Sequence, residues 1–409
     1  MTWVAPVSLD TFTLAPGFRA AGGTCGLKAS GREDLALVVA ERPCAAAGVF
    51  TTNRVLAAPV LLDRELLAAH AHEVRGIVVN SGCANACTGE RGMADARRMA
   101  ALAASAIGAA PGQVLVLSTG VIGVPLDTDK IARGLPAVAS ALGNDPEAVG
   151  GAVRAILTTD TVPKTAAVDV ELGGGTVRIR GFAKGAGMIH PNMATLLGIV
   201  TTDAAIEPPL LHELLRTMAE RSFNRVSVDG DMSTNDTVLL LASGASGLKI
   251  GERERAAFAA GLEAVGISLA RQIARDGEGA TRLVEIAVDG AASEREAHTI
   301  ADAIARSPLV KTAVHGGDPN WGRVLAAAGS CGVEFDPARA RLSFGPVKDA
   351  IVVVEGGARA AYDEGAAAER LRRDPVEMRL ELGPGPGSAI VWTCDFSAEY
   401  VSINADYTT

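Results

Sequence analysis

The sequence predicts a layered α/β (α+β) sandwich followed by a smaller C-terminal α/β domain. Three observations carry that prediction. Short apolar runs of strand length alternate with Ala-rich segments that are apolar at helical spacing. Two alternating segments, Val168–Leu172 and Thr176–Arg180, are joined by Gly173-Gly174-Gly175 and read as a hairpin. The strands do not recur in clean strand–helix–strand units, which argues against a doubly wound dinucleotide fold. A chain of 409 residues is long enough for two domains. Asp276-Gly277-Glu278-Gly279-Ala280 interrupts a long helical segment, so the expected domains are 1–280 and 281–409.

The elements follow in order. Gly76–Asn80 reads as a strand ending in the turn Ser81-Gly82, and Ala94–Ile107 as a helix. Val114–Leu117 is a buried strand that stops at Ser118-Thr119-Gly120. Thr128–Leu142 and Pro146–Leu157 read as helices, the second capped by Asp145 with Pro146 at its first position. After the hairpin come a strand (Leu196–Thr201), a helix (Pro209–Phe223), a strand (Thr237–Ala242) and a long helix (Arg253–Arg275). The C-terminal part supplies strands at Leu283–Val288, Ala350–Val354, Val376–Leu382 and Ala389–Cys394, with a helix at Glu364–Arg372. The polar tail from Ser397 to Thr409 reads as frayed.

Composition narrows the function. The hydrophobic fraction of 48% supports a sizeable core, and a net charge of −9 without a basic cluster argues against nucleic acid. No apolar run approaches the roughly 20 residues that span a bilayer. Met1–Pro6 lacks the pattern of a signal peptide, so the expected location is cytoplasmic. Six scattered cysteines then read as reduced thiols. Cys83 and Cys87 have no second Cys pair or His pair for zinc, and no metal is expected.

Several motifs fail on their physics. No phosphate-cradling G-x-x-x-x-G-K-[ST] and no G-x-S-x-G occur. Gly383-Pro384-Gly385-Pro386-Gly387 lacks the backbone donors and following helix of a dinucleotide loop. Asp229–Asn235 alternates oxygen-bearing residues like a calcium loop but has Leu240 where the bidentate glutamate belongs, so it reads as a structural polar turn.

What remains is Lys184-Gly185-Ala186-Gly187-Met188-Ile189-His190-Pro191-Asn192-Met193-Ala194-Thr195, running into Leu196-Leu197-Gly198-Ile199-Val200. A glycine-rich approach meets a β-branched hydroxyl at the start of a buried strand. The Thr195 hydroxyl can attack the Ala194 carbonyl and form an ester that water hydrolyses. Gly185 and Gly187 are expected to permit the backbone geometry that attack needs. The freed α-amine, with a pKa of about 7.7–8.0, then serves as the hydroxyl's own base. Attack on an acyl carbon makes an oxyanion, and Ser118-Thr119-Gly120 at a strand end is a candidate donor pair, although a plain strand-ending turn is the stronger reading from those residues alone. His190 is a rival base, but the amine already meets that need.

The segment Lys184-Gly185, Met188-Ile189, Asn192–Leu196 resembles the self-cleavage segment of the ornithine acetyltransferases, the bifunctional glutamate N-acetyltransferases. The resemblance runs along nearly the whole chain. It takes in Asn80–Gly82, Ala84–Ala86 and Thr88-Gly89, then Ser118–Gly123, Thr158–Thr161, Asp229–Asp236, Asp276–Thr281, His315–Arg323 and Ile403–Thr409. It departs at Cys83, where the family usually carries a small polar residue.

The resemblance implies a DmpA-like sandwich, cut into an α chain (1–194) and a β chain (from 195) that stay associated as α2β2. It implies ping-pong transfer of acetyl from N2-acetylornithine to Thr195 and on to glutamate. By position, Thr119 and Gly120 form the oxyanion hole, while Thr159, Lys184, Thr195, Glu278, Asn404 and Thr409 contact substrate. Lys184 suits a substrate carboxylate and Glu278 an amine. The tail bearing Asn404 and Thr409 is then expected to return over the site. No cofactor is implied, with acetyl-CoA open as a co-substrate. Two rival readings stand beside this one. The first is a self-processed N-terminal-threonine amidohydrolase or aminopeptidase, in which water takes the acyl group. The second is a metabolite-binding protein without catalysis.

Overall fold

A computed structural model describes residues 3–110, 112–190 and 196–406. The expected cleavage residues Ala194 and Thr195, and the tail residue Thr409, lie outside the described residues.

Eight strands form the larger sheet: β1 (Phe18–Gly23), β2 (Leu35–Phe50), β3 (Val74–Cys83), β4 (Val114–Val121), β5 (Lys164–Leu172), β6 (Gly175–Lys184), β7 (Leu197–Thr202) and β8 (Thr237–Ala242). Their order is β4-β3-β2-β8-β7-β6-β5, with β1 also paired to β2. The organising element is β2. Its first part pairs with β1 and β3, and Ala45–Phe50 pairs with β8. Pro43 looks like a strand breaker in sequence. It falls where pairing to β3 is irregular, between Val39 and Cys44, so its missing N–H costs the ladder nothing there.

Both faces of β7 and β8 are covered, which is why their sequences are apolar throughout rather than alternating. Leu197, Ile199, Leu239 and Leu241 share a core with residues of β1–β4. Their alternates Val200, Val238 and Leu240 pack instead with residues of α5 (Pro208–Arg221) and α6 (Glu252–Arg275). The remaining helices of this part, α1 (Ala58–His70), α2 (Gly89–Ile107), α3 (Thr128–Ser140) and α4 (Pro146–Ala155), pack against β1–β4. The result is helices, strands, strands and helices in layers, the sandwich that the periodicity predicts.

The second sheet has the order β12-β11-β10-β13-β9-β14. Its strands are β9 (Leu283–Ala291), β10 (Arg341–Phe344), β11 (Ile351–Glu355), β12 (Ala358–Arg359), β13 (Val376–Glu381) and β14 (Gly387–Cys394). Between and after them lie α7 (Glu294–Arg306), α8 (Pro308–Gly316), α9 (Trp321–Gly329), α10 (Glu364–Leu371) and α11 (Ala398–Asp406). Its core is separate and apolar, with Ile300, Ile304, Leu342, Phe344 and Val391 at its centre. Among the described residues, no helix is long and apolar enough to cross a membrane.

The structure corrects four local expectations. The helix expected from Ala94 begins at Gly89. Neither Ser81-Gly82 nor Ser118-Thr119-Gly120 ends its strand. β3 and β4 run on in parallel, pairing Ser81 with Thr119 and Gly82 with Gly120, so each strand extends the other. The tail expected to fray is the helix α11 through Asp406. The Ser397 hydroxyl fastens its start to the Gly279 carbonyl at 2.6 Å. Asp145 does cap α4, accepting from the N–H groups of Glu147 and Ala148.

Candidate active site

One cavity of about 130 Å³ collects Thr119, Gly120, Thr159, Lys184, Glu278 and Asn404. These are all the expected site residues that the structure describes, drawn from β4, the loop before β5, the end of β6, the turn after α6, and α11. Thr195 and Thr409 lie outside the described residues, but Leu196, joined to Thr195, is buried where β7 begins.

Gly120 could be no other residue. Its φ is +129°, and a Cβ would stand 2.4 Å from the Gly82 carbonyl carbon. The two strands therefore meet at two glycines, and the turn of backbone there presents Thr119 and Gly120 to the cavity. Asn235 braces this corner. Its Nδ2 donates to the carbonyls of Ala84 (2.7 Å) and Ser118 (2.9 Å). Behind it, the Ser118 hydroxyl donates to Asn80 Oδ1 at 2.6 Å, and Asn80 Nδ2 donates to the Cys83 carbonyl at 2.8 Å. That bond uses the Cys83 backbone and survives the departure there, while the Cys83 thiol itself donates to the Val124 carbonyl at 3.3 Å.

Lys184 closes β6 with only 3% of its side chain exposed. Its ammonium reaches toward the Thr119 hydroxyl at 3.5 Å and lies 4.0 Å from Asp160 Oδ2. Burial pushes its pKa down, and Asp160 works against that shift by favouring the charge. Asp160 is the hub. It accepts from the Lys164 ammonium at 2.6 Å, from the Gly185 N–H at 2.7 Å and from the Thr158 N–H at 3.1 Å. Burial opposes its charge, but the two lysines outweigh burial and hold its carboxyl well below the usual range.

Lys164, wholly buried, spans from Asp160 to Asp276 Oδ2 at 2.5 Å. Asp276 also accepts from the Thr161 N–H at 3.0 Å. A charge relay thus ties the loop of Thr159 to the turn of Glu278.

Glu278 reaches the cavity because Gly187 leaves it room. A Cβ on Gly187 would lie 2.4 Å from the Glu278 carboxylate. The two glycines were expected to supply unusual backbone angles, yet the positive φ falls at Met188, at 56°. Gly187 is needed for close approach instead. The Glu278 N–H donates to the Ala186 carbonyl at 2.8 Å, and its Oε2 accepts from Asn404 Nδ2 at 2.9 Å. So α11 does return to the cavity, through Asn404.

The approach to the expected cleavage point is gripped from the far side of that point. Asp229 takes the Met188 N–H at 2.6 Å on one oxygen and the Ile189 N–H at 2.9 Å on the other. The Val228 N–H donates to the Ile189 carbonyl at 2.8 Å. The polar turn that mimics a calcium loop is a clamp on this segment. Burial raises the Asp229 pKa to about 6 even against these bonds. His190, the rival base, faces Asp302 of α7 with Nδ1 3.9 Å from Oδ1, and burial lowers its pKa. His315, expected to fix a turn, sits at the end of α8 and pairs through Nδ1 with Asp395 Oδ2 at 2.7 Å.

No site role was read for Asp160, Lys164, Asn235 or Asp276, although all but Lys164 fall in stretches that carry the family resemblance. The signal that marks them is burial of a charge or amide, which no local pattern displays.

The comparisons place these features in a family. The model of the ArgJ family matches residues 19–409. A Symbiobacterium thermophilum protein named arginine biosynthesis bifunctional protein ArgJ is 50% identical over 414 residues, covering 100% of both chains. A solved ArgJ structure from Bacillus halodurans is 40% identical with a TM-score of 0.49, over 51% of this chain and 98% of that one. A Mycobacterium tuberculosis ornithine acetyltransferase, solved in complex with ornithine, is 41% identical with a TM-score of 0.42, over 46% of this chain and 97% of that one. The chain matches the family model from β1 onward and its curated relative end to end, and it belongs to the ArgJ family.

Proposed function

We propose that the chain cuts itself between Ala194 and Thr195 and then moves acetyl from N2-acetylornithine to glutamate through an ester on Thr195. The observation that carries this reading is the single cavity holding Thr119, Gly120, Thr159, Lys184, Glu278 and Asn404. Family membership and the arginine-biosynthesis name of its relative point the same way.

The roles follow from charge and geometry. Thr195 attacks the acetyl carbon, and its α-amine takes the hydroxyl proton. The Thr119 hydroxyl and the Gly120 N–H stabilise the oxyanion, with the Lys184 ammonium next to Thr119 adding positive charge. Ornithine leaves. The glutamate amine then attacks the ester, and N-acetylglutamate departs. Lys184 meets the substrate carboxylate, and Glu278, oriented by Asn404, meets the amino-acid amine. Thr159 and the terminal Thr409 complete the substrate contacts. Residues 1–280 carry the chemistry and 281–409 return α11 to it. Because Lys184 precedes the cut and Glu278 follows it, both products build the site, assembled as α2β2 in a cytoplasmic enzyme without cofactor. Acetyl-CoA is a second acetyl donor to test.

The experiment incubates purified protein with glutamate and either N2-acetylornithine or acetyl-CoA and measures N-acetylglutamate. Formation from acetylornithine supports the reading. Release of free acetate without N-acetylglutamate favours the amidohydrolase, and no turnover of either kind favours a binding protein.

A further inference from the structure

A carboxyl beside the start of β7 has no assigned task. Asp236 is wholly buried at the head of β8. One oxygen accepts the Leu196 N–H at 3.0 Å. The other, Oδ2, is buried with no hydrogen bond of good geometry among the described residues, while the Thr51 side chain stands close enough to the carboxyl to favour its charge. Leaving a buried carboxylate oxygen unpaired is costly, so a fold that keeps it there has a use for it or keeps it protonated. Burial pushes its pKa well up, against the pull of the Leu196 N–H, Lys184 and the Thr51 side chain.

Its location is fixed by covalent geometry. Leu196 N is bonded to the carbonyl carbon of Thr195, so a group holding that N–H lies within a few ångströms of the residue whose peptide bond must break. Among the described residues, two titratable side chains line the neighbouring cavity. Lys184 is engaged with Thr119 and Asp160, and Glu278 with Asn404.

We propose that Asp236 is the resident acid of the self-cleavage at Ala194–Thr195, an inference that rests on the self-cleaving reading above. The Thr195 oxygen bonds to the Ala194 carbonyl carbon, and the Ala194–Thr195 C–N bond breaks. The departing nitrogen takes the Asp236 proton and becomes the free α-amine. The Asp236 carboxylate takes the proton that the Thr195 hydroxyl sheds, which restores the acid. Water then adds to the ester carbon, frees the hydroxyl and releases Ala194 as a carboxylate, whose proton passes to the amine. No other reactant is needed.

The test follows maturation of the full chain on denaturing gels, with thermal melting alongside. Wild type must appear as two chains and Thr195→Ala as one. A single wild-type chain refutes self-cleavage itself, separately from the role of Asp236. Asp236→Asn keeps the volume and an acceptor for Leu196 but has no acid proton. It is expected to cut at least about a hundredfold more slowly, the usual loss of a general acid, while melting with the uncut Thr195→Ala chain. Cutting at the wild-type rate overturns the proposal. The second variant, Asp236→Ala, opens space for formate. Formate-dependent cutting in that chain and not in Thr195→Ala supports the role, and a folded Asp236→Ala chain that formate leaves uncut overturns it.

Discussion

At the cavity end of the larger sheet, Lys164 and Asp160 have 0% of their side chains exposed and Asp276 has 5%. Across the smaller sheet, Arg341 and Glu381 pair with 40% and 41% exposed, and Arg379 and Asp289 with 35% and 36%. The second arrangement is ordinary, since water carries most of the cost and the pair adds about 0–1 kcal/mol. The first is expensive to build, because taking ions out of water costs several kcal/mol each before any attraction repays it. The cluster is confined to the side chains that hold Thr159, Lys184 and Glu278 in place. Stability alone is better served by the apolar packing used around Phe344, so the difference marks the charged end as the part shaped for chemistry. Lys311 of α8 sharpens the point. It too is buried, but it donates to the Thr393 hydroxyl and the Cys394 carbonyl and lies 4.5 Å from the Phe396 ring centre. A lysine held by neutral groups packs against the Thr393–Phe396 segment that precedes α11, whereas the two held by carboxylates line or brace the cavity.

The comparison can be broken in several places. The largest effect is expected from Thr195→Ala, which removes the proposed nucleophile of both cutting and transfer. It leaves one inactive chain on a denaturing gel, and two chains in that variant contradict the account. Lys164→Met strands two buried carboxylates and is expected to cost about 3–5 kcal/mol in urea unfolding. Adding Asp276→Asn should return part of that loss, because one uncompensated charge goes with it.

Lys184→Met removes the buried charge proposed to meet the substrate carboxylate. The loss of a charge-assisted bond of about 1.5–3 kcal/mol predicts a drop of roughly tenfold or more in kcat/KM. A drop confined to folding yield, with kcat/KM unchanged, argues that the lysine is only structural.

The pH response separates two buried carboxyls by sign. Asp160 is held below its unfolded value, so its contribution is present at neutral pH and lost on acidification. Asp229, raised from 3.8 to about 6, binds its proton more tightly when folded. Its contribution is therefore full below pH 3.8 and lost as pH rises through 6. Unfolding curves between those values should show wild type losing stability relative to Asp229→Asn as pH rises. A flat difference contradicts that assignment.

The smallest effect belongs to the smaller sheet. Arg341→Met should change stability by no more than about 1 kcal/mol, and equality with Lys164→Met erases the contrast between the two ends.

Much of the fold was legible because β7, β8 and the β5–β6 hairpin announce themselves in the order of apolar residues. β2 was not, since Pro43 interrupts its pattern where the pairing shifts. The corner at Gly120 was legible as a motif but not as geometry. Only the approach of Gly82 explains why a strand continues through it. The charge relay was invisible for a different reason. Lys164 and Asp276 stand 112 residues apart, and each alone resembles a solvated surface charge. Glu278 and Lys184 share that disguise, and only their place in a family pattern marked them. Gly187 carried a readable signal with the wrong cause, backbone freedom in place of room for a carboxylate.

The most direct measurement is the intact mass of the denatured protein before and after incubation with N2-acetylornithine in the absence of glutamate. The account predicts two chains joined originally at 194/195, with the chain that begins at Thr195 gaining one acetyl group and losing it again when glutamate is added. A single full-length chain, or two chains with no acetyl gained on the second, contradicts it.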